Sequence, residues 1–293
     1  MRRPDLPLIL VVLAVGAALA AFADTSPGAP VAGSAAEPAP ASDPADAFLA
    51  EAGPALLGCL AGDARPGRDA HEPPTGEDEL IESVSREVES LRELRFDKPV
   101  DASFLTPAEL RRRVSRLLDA ELPREAVAEE GQILELLGAI PPGSDLYELE
   151  EQALGSQVIG LYVPKLRELL VRSSGDPGPV ELMTLAHELE HALADQRFGL
   201  RDVEATEAAA DRALAYVSVV EGDATLTMMR YAIAAIGAGE LNSLGQQGVP
   251  GSERQFDRLP DYLQRSLLFP YFGGLQLVCA RWLEGGWRAV DRL

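Results

Sequence analysis

Thr184-Leu-Ala-His187-Glu188-Leu-Glu190-His191-Ala-Leu-Ala-Asp195 holds two of the three histidines in a chain of 293 residues, four apart with a glutamate between them. On an α-helix, residues i and i+4 share a face, so both imidazoles can converge on one ion while Glu188, one residue on, reaches beside it. This H-E-x-x-H pattern reads as a zinc site. Zn²⁺ takes neutral imidazole nitrogens at about 2.0–2.1 Å, and a catalytic site keeps one position for water. The ion lowers the pKa of that water to about 7, and a carboxylate must stand by to take the proton and pass it to a leaving group. Glu188 has the chemistry and the position for that base. A solvated helix in a chain with 3 histidines spells the pattern by accident on the order of a few times per thousand.

The flanks of the stretch predict where its helix starts and stops. Asp176-Pro-Gly-Pro179 precedes it, with Pro179 suited to a first helical turn, and Phe198-Gly199 follows, where glycine fits a C-cap. Leu182, Leu185, Ala186, Leu189, Ala192 and Leu193 supply an apolar face that leans on a core.

A catalytic zinc needs a third protein ligand, and the remaining histidine, His71, lies in Arg65-Pro-Gly-Arg-Asp-Ala-His-Glu-Pro-Pro74, which reads as linker. The third ligand is therefore expected to be a carboxylate. From about 203 to 237 the chain is a long alanine-rich helical pattern, in which Glu207, Asp211, Leu214, Ser218 and Glu221 follow a 4-3-4-3 spacing along one face. Glu221 is the preferred ligand. It sits in an apolar stretch where an unpaired charge is costly to bury, and Gly222 beside it is odd in mid-helix unless another backbone or a ligand comes close. The alternative is that Glu221 and Asp223 face solvent; Asp211, Glu207 and Asp195 are lesser candidates. Asp195, four residues beyond His191, could instead accept the ring N–H of a ligand histidine and fix its tautomer.

His187-Glu-Leu-Glu-His191-Ala-Leu-Ala-Asp195 followed by Glu221-Gly-Asp-Ala224 resembles the gluzincin superfamily of zinc metallopeptidases, which includes thermolysin-like and M1 aminopeptidase-like enzymes. The resemblance implies that His187, His191 and Glu221 bind one Zn²⁺ per chain and that Glu188 is the general base. The run from His187 to Leu200 is also similar to the HELxHALxDQ helix of bacterial secreted peptidases of unassigned substrate. The likeness extends over about residues 78–293. It implies an α+β fold: a mostly helical zincin-like metallopeptidase domain with a short edge β-hairpin before the zinc-binding helix.

The segments around 156–163 and 168–172 read as that hairpin. In gluzincins the strand before the zinc helix is the edge along which an extended substrate pairs, which would be Gly160 to Val163; a hairpin that only completes the sheet is the alternative. Phe269-Pro270-Tyr271-Phe-Gly273-Gly274, expected before a helix from Leu275 to Glu284, resembles the P-Y-x-x-G element of M1-like enzymes, whose tyrosine donates to the oxyanion. Tyr271 is thus a catalytic candidate, set against an aromatic packed in the core, with Tyr231 as a fallback. The G-x-M-E-N strand that grips a free N-terminus in M1 enzymes is missing, so aminopeptidase activity is not implied.

The rest of the chain sets compartment and partners. Arg2-Arg3, the apolar run Leu6 to Phe22 and Ala21-Phe22-Ala23 read as a secretory signal over residues 1–23, or else an uncleaved N-terminal anchor, which places the protein outside the cytoplasm. Residues 24–77, rich in Ala, Pro, Ser and Gly with an apolar patch from Ala47 to Leu60, read as a disordered tether, and 78–293 as the peptidase domain. Helical spacing begins at Leu80-Ile81-Val84-Val88-Leu91, and Thr106-Pro107 opens a second helix. A bridge between the two cysteines, Cys59 and Cys279, is open outside the cytoplasm, but one lies in the tether and the other in a C-terminal apolar helix, settings so different that they read as unpaired. A net charge of −21 argues against nucleic acid and anionic membrane surfaces as partners. The expected partner is a protein or peptide substrate, with membrane contact only through an uncleaved N-terminal segment.

Two other classes compete. A catalytically inactive, zinc-stabilised binding domain tethered at the cell surface would have no need of Glu188. A di-iron helical bundle could use Glu188-Leu-Glu-His191 as E-x-x-H, but it needs a second such pair, and no histidine remains outside the linker.

Overall fold

The computed structural model describes residues 56, 58–60, 76–121, 124–155, 158–173, 175, 177–200, 210–236 and 258–293. The elements run α1 (Glu77–Arg92), β1 (Asp101–Leu105), α2 (Pro107–Glu121), α3 (Arg124–Leu136), α4 (Leu146–Gly155), β2 (Gly160–Val163), β3 (Glu168–Arg172), α5 (Pro179–Phe198), α6 (Ala210–Tyr231), a π-helical turn (Ala232–Ile236), α7 (Asp261–Gly285) and α8 (Trp287–Val290). The fold is mostly helical with one small sheet, an α+β arrangement. The expected signal segment and most of the expected tether lie outside the described residues. Among the described residues, no helix is long and apolar enough to cross a membrane.

The sheet has the order β1-β3-β2. β2 and β3 form the expected antiparallel hairpin, with Leu161 opposite Leu170, and β1 pairs with β3 in parallel, with Ser103 opposite Leu170. β1 is an addition to the sequence reading. Its five residues are exposed to half-buried, without the apolar alternation that marks a strand. β2 and the middle of β3 are buried.

α5 is the centre of the molecule. It starts at Pro179 after Gly178 and ends at Phe198, where the Gly199 N–H donates to the Asp195 carbonyl at 2.9 Å, close to the expected limits. The expected apolar face is an underestimate, since every residue from Met183 to Asp195 is buried. A helix covered on all sides has α1, α6 and the sheet around it. Leu185, Ala186, Leu189, Ala192 and Leu193 join Val84 and Val88 of α1, Leu161 and Leu169 of the sheet, Leu226 of α6 and Leu275 and Val278 of α7 in one core. A smaller cluster joins Val127, Leu134, Leu146 and Tyr147 to Leu259 and Leu263.

Three boundaries differ from expectation. The Pro270-Tyr271 element is not a loop before a helix, because α7 runs unbroken from Asp261 to Gly285 with Pro270 inside it. Proline removes one backbone donor but leaves the rest of the ladder, and the apolar residues around it are held by the core. Leu56, Cys59 and Leu60 belong to the main core, although they fall in the stretch read as tether. Finally, Asp211 and Leu214 are exposed while Ser218 and Glu221 are buried, so the expected five-residue face holds only over its C-terminal half; Glu207 lies outside the described residues.

α6 and α7 cross at two glycines. A Cβ on Gly222 would land on the carbonyl carbon and oxygen of Gly274 and 2.8 Å from its Cα, and one on Gly274 would land on the carbonyl of Ser218. The suspected reason for Gly222 in mid-helix, a second backbone at close range, is what the structure shows. That crossing sets Glu221, next to Gly222, and Tyr271, one turn before Gly274, near the same point.

Candidate metal centre

α5 presents His187 and His191 one turn apart, and α6 brings Glu221 to them. His187 Nε2 lies 3.2 Å from Glu221 Oε2, His191 Nε2 lies 3.1 Å from His187 Nε2, and His191 Nε2 lies 3.5 Å from Glu221 Oε2. Three donors at about 2.0–2.1 Å from a common ion, at tetrahedral angles, stand about 3.3–3.4 Å apart. The observed triangle has that size. The three side chains are buried, with exposures of 3%, 7% and 1% for His187, His191 and Glu221. Two imidazole nitrogens and a carboxylate oxygen turned toward one another in a dry site repel unless a proton or a cation lies among them. Among the described residues this is the group of three or more His, Cys, Asp or Glu side chains whose donor atoms converge closely enough to hold a metal ion.

The electrostatics favour positive charge at that point. Burial opposes the imidazolium form of His191, but Glu221, Glu188 and Glu190 outweigh it and push its pKa up to about 9. Burial likewise opposes the carboxylate of Glu221, and the two imidazoles overcome it and hold the group below its ordinary value. Carboxylates that draw a proton to His191 will draw a cation by the same interaction.

Glu188 is 1% exposed and stands on the sheet side of the triangle. Its Oε2 accepts the backbone N–H of Tyr162 at 2.7 Å, while Oε1 has no protein partner. Burial raises its pKa against the lowering effect of both histidines and the Tyr162 N–H. Gly160 makes this approach feasible: a Cβ there would press on Glu188 Cγ and Thr184 Cγ2 at 3.3 Å each. Tyr162 also fixes the far end of the motif, because its hydroxyl donates to Asp195 Oδ2 at 2.8 Å. The phenol stays protonated, since burial and the Asp195 carboxylate both push its pKa up.

Asp195 is therefore engaged differently from the expected role. Its Oδ2 takes the Tyr162 hydroxyl and its Oδ1 the Leu200 N–H at 2.9 Å, so it clamps the helix end to β2 in place of a histidine ring. The carboxylate nearest a ring Nδ1 is that of Glu190, 3.9 Å from His191 Nδ1. Neither histidine Nδ1 has a protein hydrogen-bond partner.

Beneath the triangle lies a charge network absent from the sequence reading. Arg92, 0% exposed, donates through Nε and Nη2 to Asp223 at 2.8 and 2.9 Å and to Asp291 at 2.7 Å; Glu190 stands 3.8 Å from Arg92 Nε. The guanidinium also lies 4.3 Å over the Trp287 ring. Burial drives the Glu190 carboxyl well up, and Asp223 adds to the effect. Asp223 faces this network, not solvent. A signal for Arg92 was present: it continues the i+4 series Val84, Val88, Arg92 on the buried face of α1. A fork-shaped cation on an apolar stripe demands buried acids.

Tyr271 is 2% exposed and its ring stacks on His187, with centroids 6.0 Å apart and planes at 29°. It thus joins the core and borders the site at once. Tyr231, the fallback, sits ten residues beyond Glu221 on α6, about 15 Å along the axis, outside reach of the same point. All four residues of β2 are buried, and the Tyr162 N–H is taken by Glu188, which supports the hairpin as a brace for the motif helix over its use as an edge for substrate.

Compared with protein-family models, curated proteins and solved structures, the chain matches none. The reading of the site rests on its own geometry.

Proposed function

We propose that this chain is an extracytoplasmic zinc metallopeptidase of the gluzincin type, with His187, His191 and Glu221 as metal ligands and Glu188 as general base. The observation that carries the proposal is the triangle of donors 3.1–3.5 Å apart, with a buried carboxylate beside it that keeps one oxygen without a protein partner. Two imidazoles and one carboxylate are the His₂Glu donor set of hydrolytic zinc sites. Bound zinc would polarise a substrate carbonyl and make water acidic near neutral pH. Glu188, held through Oε2 by Tyr162, has Oε1 to accept a proton from water and return it to the departing amine. Tyr271, against His187, is the donor for the developing oxyanion. A protein or peptide is the proposed substrate. The charge of −21 argues against nucleic acid.

One observation favours a second reading, the zinc-stabilised binding domain without turnover. The most exposed of the five candidate residues, His191, is only 7% exposed, and a site sealed in this way suits a structural metal. The two readings share the ligands and part at the chemistry.

The primary test is metal content by elemental analysis, wild type beside Glu221→Ala. We expect about one zinc per wild-type chain and a small fraction of that in the variant, which loses one of three protein donors. A metal-free, folded wild type would remove both readings. Equal metal in Glu221→Ala would remove Glu221 as a ligand. If zinc is present, a screen of peptide substrates separates peptidase from binding domain.

Tyr271→Phe then tests the oxyanion role. The ring remains to stack on His187, so metal content and folding should be retained. A lost donor to a developing charge should lower kcat by about 10²–10³ with little change in KM. Unchanged kcat would leave Tyr271 as packing alone.

A further inference from the structure

Cys59 and Cys279 are the only cysteines of the chain, and their sequence settings suggest no relation. The structure brings them together. Both are thiols, 0% and 2% exposed, in the same apolar core, and their sulfurs are in hydrogen-bonding contact. The short segment that carries Cys59 is docked on the C-terminal half of α7. A Cβ on Gly58 would meet Leu283 Cδ2 at 3.7 Å, and the Cys59 carbonyl accepts Arg230 Nη2–H at 2.8 Å. Arg230 itself lies 4.0 Å over the Trp282 ring and 5.2 Å from the centroid of Trp287. Cys279, Trp282 and Leu283 share one face of α7 by the i, i+3, i+4 rule, so the segment is received by a continuous strip of that helix.

We propose that Cys59 and Cys279 form an intramolecular disulfide that staples the segment around residues 56–60 onto α7. The inference is independent of the metal site. Packing alone gives no reason to bring the chain's two thiols, 220 positions apart (279−59), into mutual contact. An apolar contact would be served as well by alanine or valine, whereas a bridge needs cysteine at both places. The chemistry balances with a disulfide oxidant, protein or small molecule, as co-reactant. The Cys279 thiolate attacks one oxidant sulfur and releases the first thiol; the Cys59 thiolate then attacks the Cys279 sulfur of the mixed disulfide and releases the second. Two thiols of the chain lose two protons and two electrons, and the oxidant disulfide leaves as two thiols.

At these exposures no oxidant reaches either sulfur in the closed protein. The bridge must form while the segment is still undocked, and docking then shields it from reductants. Such a bond persists in an oxidising compartment and is rare in a reducing one.

The test uses the full chain, produced in an oxidising compartment and denatured in N-ethylmaleimide without reductant. We expect no maleimide adduct, an intact mass about 2 Da below the reduced chain for the two hydrogens lost, and one peptide pair joining Cys59 to Cys279. Two adducts, or chains linked to one another, would overturn the proposal. Cys59→Ser, Cys279→Ser and the double variant give a second reading. If the bond exists, each single variant lowers Tm as much as the double, by roughly 5–15 °C, because either one opens the same loop. Small losses that add in the double would mean two packed thiols and no bridge.

Discussion

Glu188→Gln is expected to keep its zinc, keep its fold and lose peptide hydrolysis by about 10²–10⁴. The side chains are nearly isosteric, and the glutamine carbonyl can still accept the Tyr162 N–H that Glu188 Oε2 accepts at 2.7 Å. The brace between β2 and α5 therefore survives. What changes is the other oxygen, Oε1, which has no protein partner and becomes an amide NH₂ that cannot take a proton from water. Removing a buried carboxylate that feels both burial and the like charge of Glu221 also removes those two costs, so stability should not fall. The measurement is kcat/KM on a peptide found in the substrate screen, with zinc counted in the same preparation. Full activity in the variant would end the assignment of Glu188 as base. Loss of zinc together with activity would make Glu188 part of the metal's support, and the sealed, structural-metal reading would gain.

The three converging donors were legible because helix geometry is rigid. Two histidines four apart on a helix must share a face, and a carboxylate in an apolar run must find a cation or a partner. Gly222 was legible for a similar reason, since a helix rarely spends a glycine where nothing touches it. β1 was not legible, because its residues alternate neither in polarity nor in burial and its pairing with β3 spans more than sixty intervening residues. Asp195 was misread since spacing tells which face a side chain takes and says nothing of which of two neighbours it bonds; the hydroxyl of Tyr162, brought by the tertiary fold, donates to Asp195 where a histidine ring was expected. The burial of Cys59 in the core was missed through composition. The surrounding Ala, Pro and Gly dominate the count, and a short apolar patch inside such a stretch carries too few residues to show a period. These failures share a cause, namely contacts between residues distant in sequence, which local pattern does not record.

Gly222→Ala is expected to destabilise the protein by about 3–5 kcal/mol, although alanine is the better helix former by about 1 kcal/mol. The reason is the nature of the obstacle. An added methyl that meets a side chain can be accommodated by a change of rotamer, but the Cβ at residue 222 would meet the carbonyl and Cα of Gly274, which are backbone atoms of a helix packed along its length. Relief requires α6 and α7 to separate. Separation would strip contacts from Leu226, Leu275 and Val278 and move Glu221 away from His187 and His191. Stability and zinc affinity should therefore fall together, with Tm lower by roughly 6–20 °C in a domain of this size. Gly285→Ala, at the end of α7 away from the crossing, is the control. Its Cβ would meet only the Ala289 methyl at 3.3 Å, and its Tm should stay within a few degrees of wild type. A Gly222→Ala variant as stable and as zinc-rich as wild type would show that the two helices can part without cost. The ligand triangle would then be held by the charges around it, with the Arg92 network as its main support, and not by the glycine crossing.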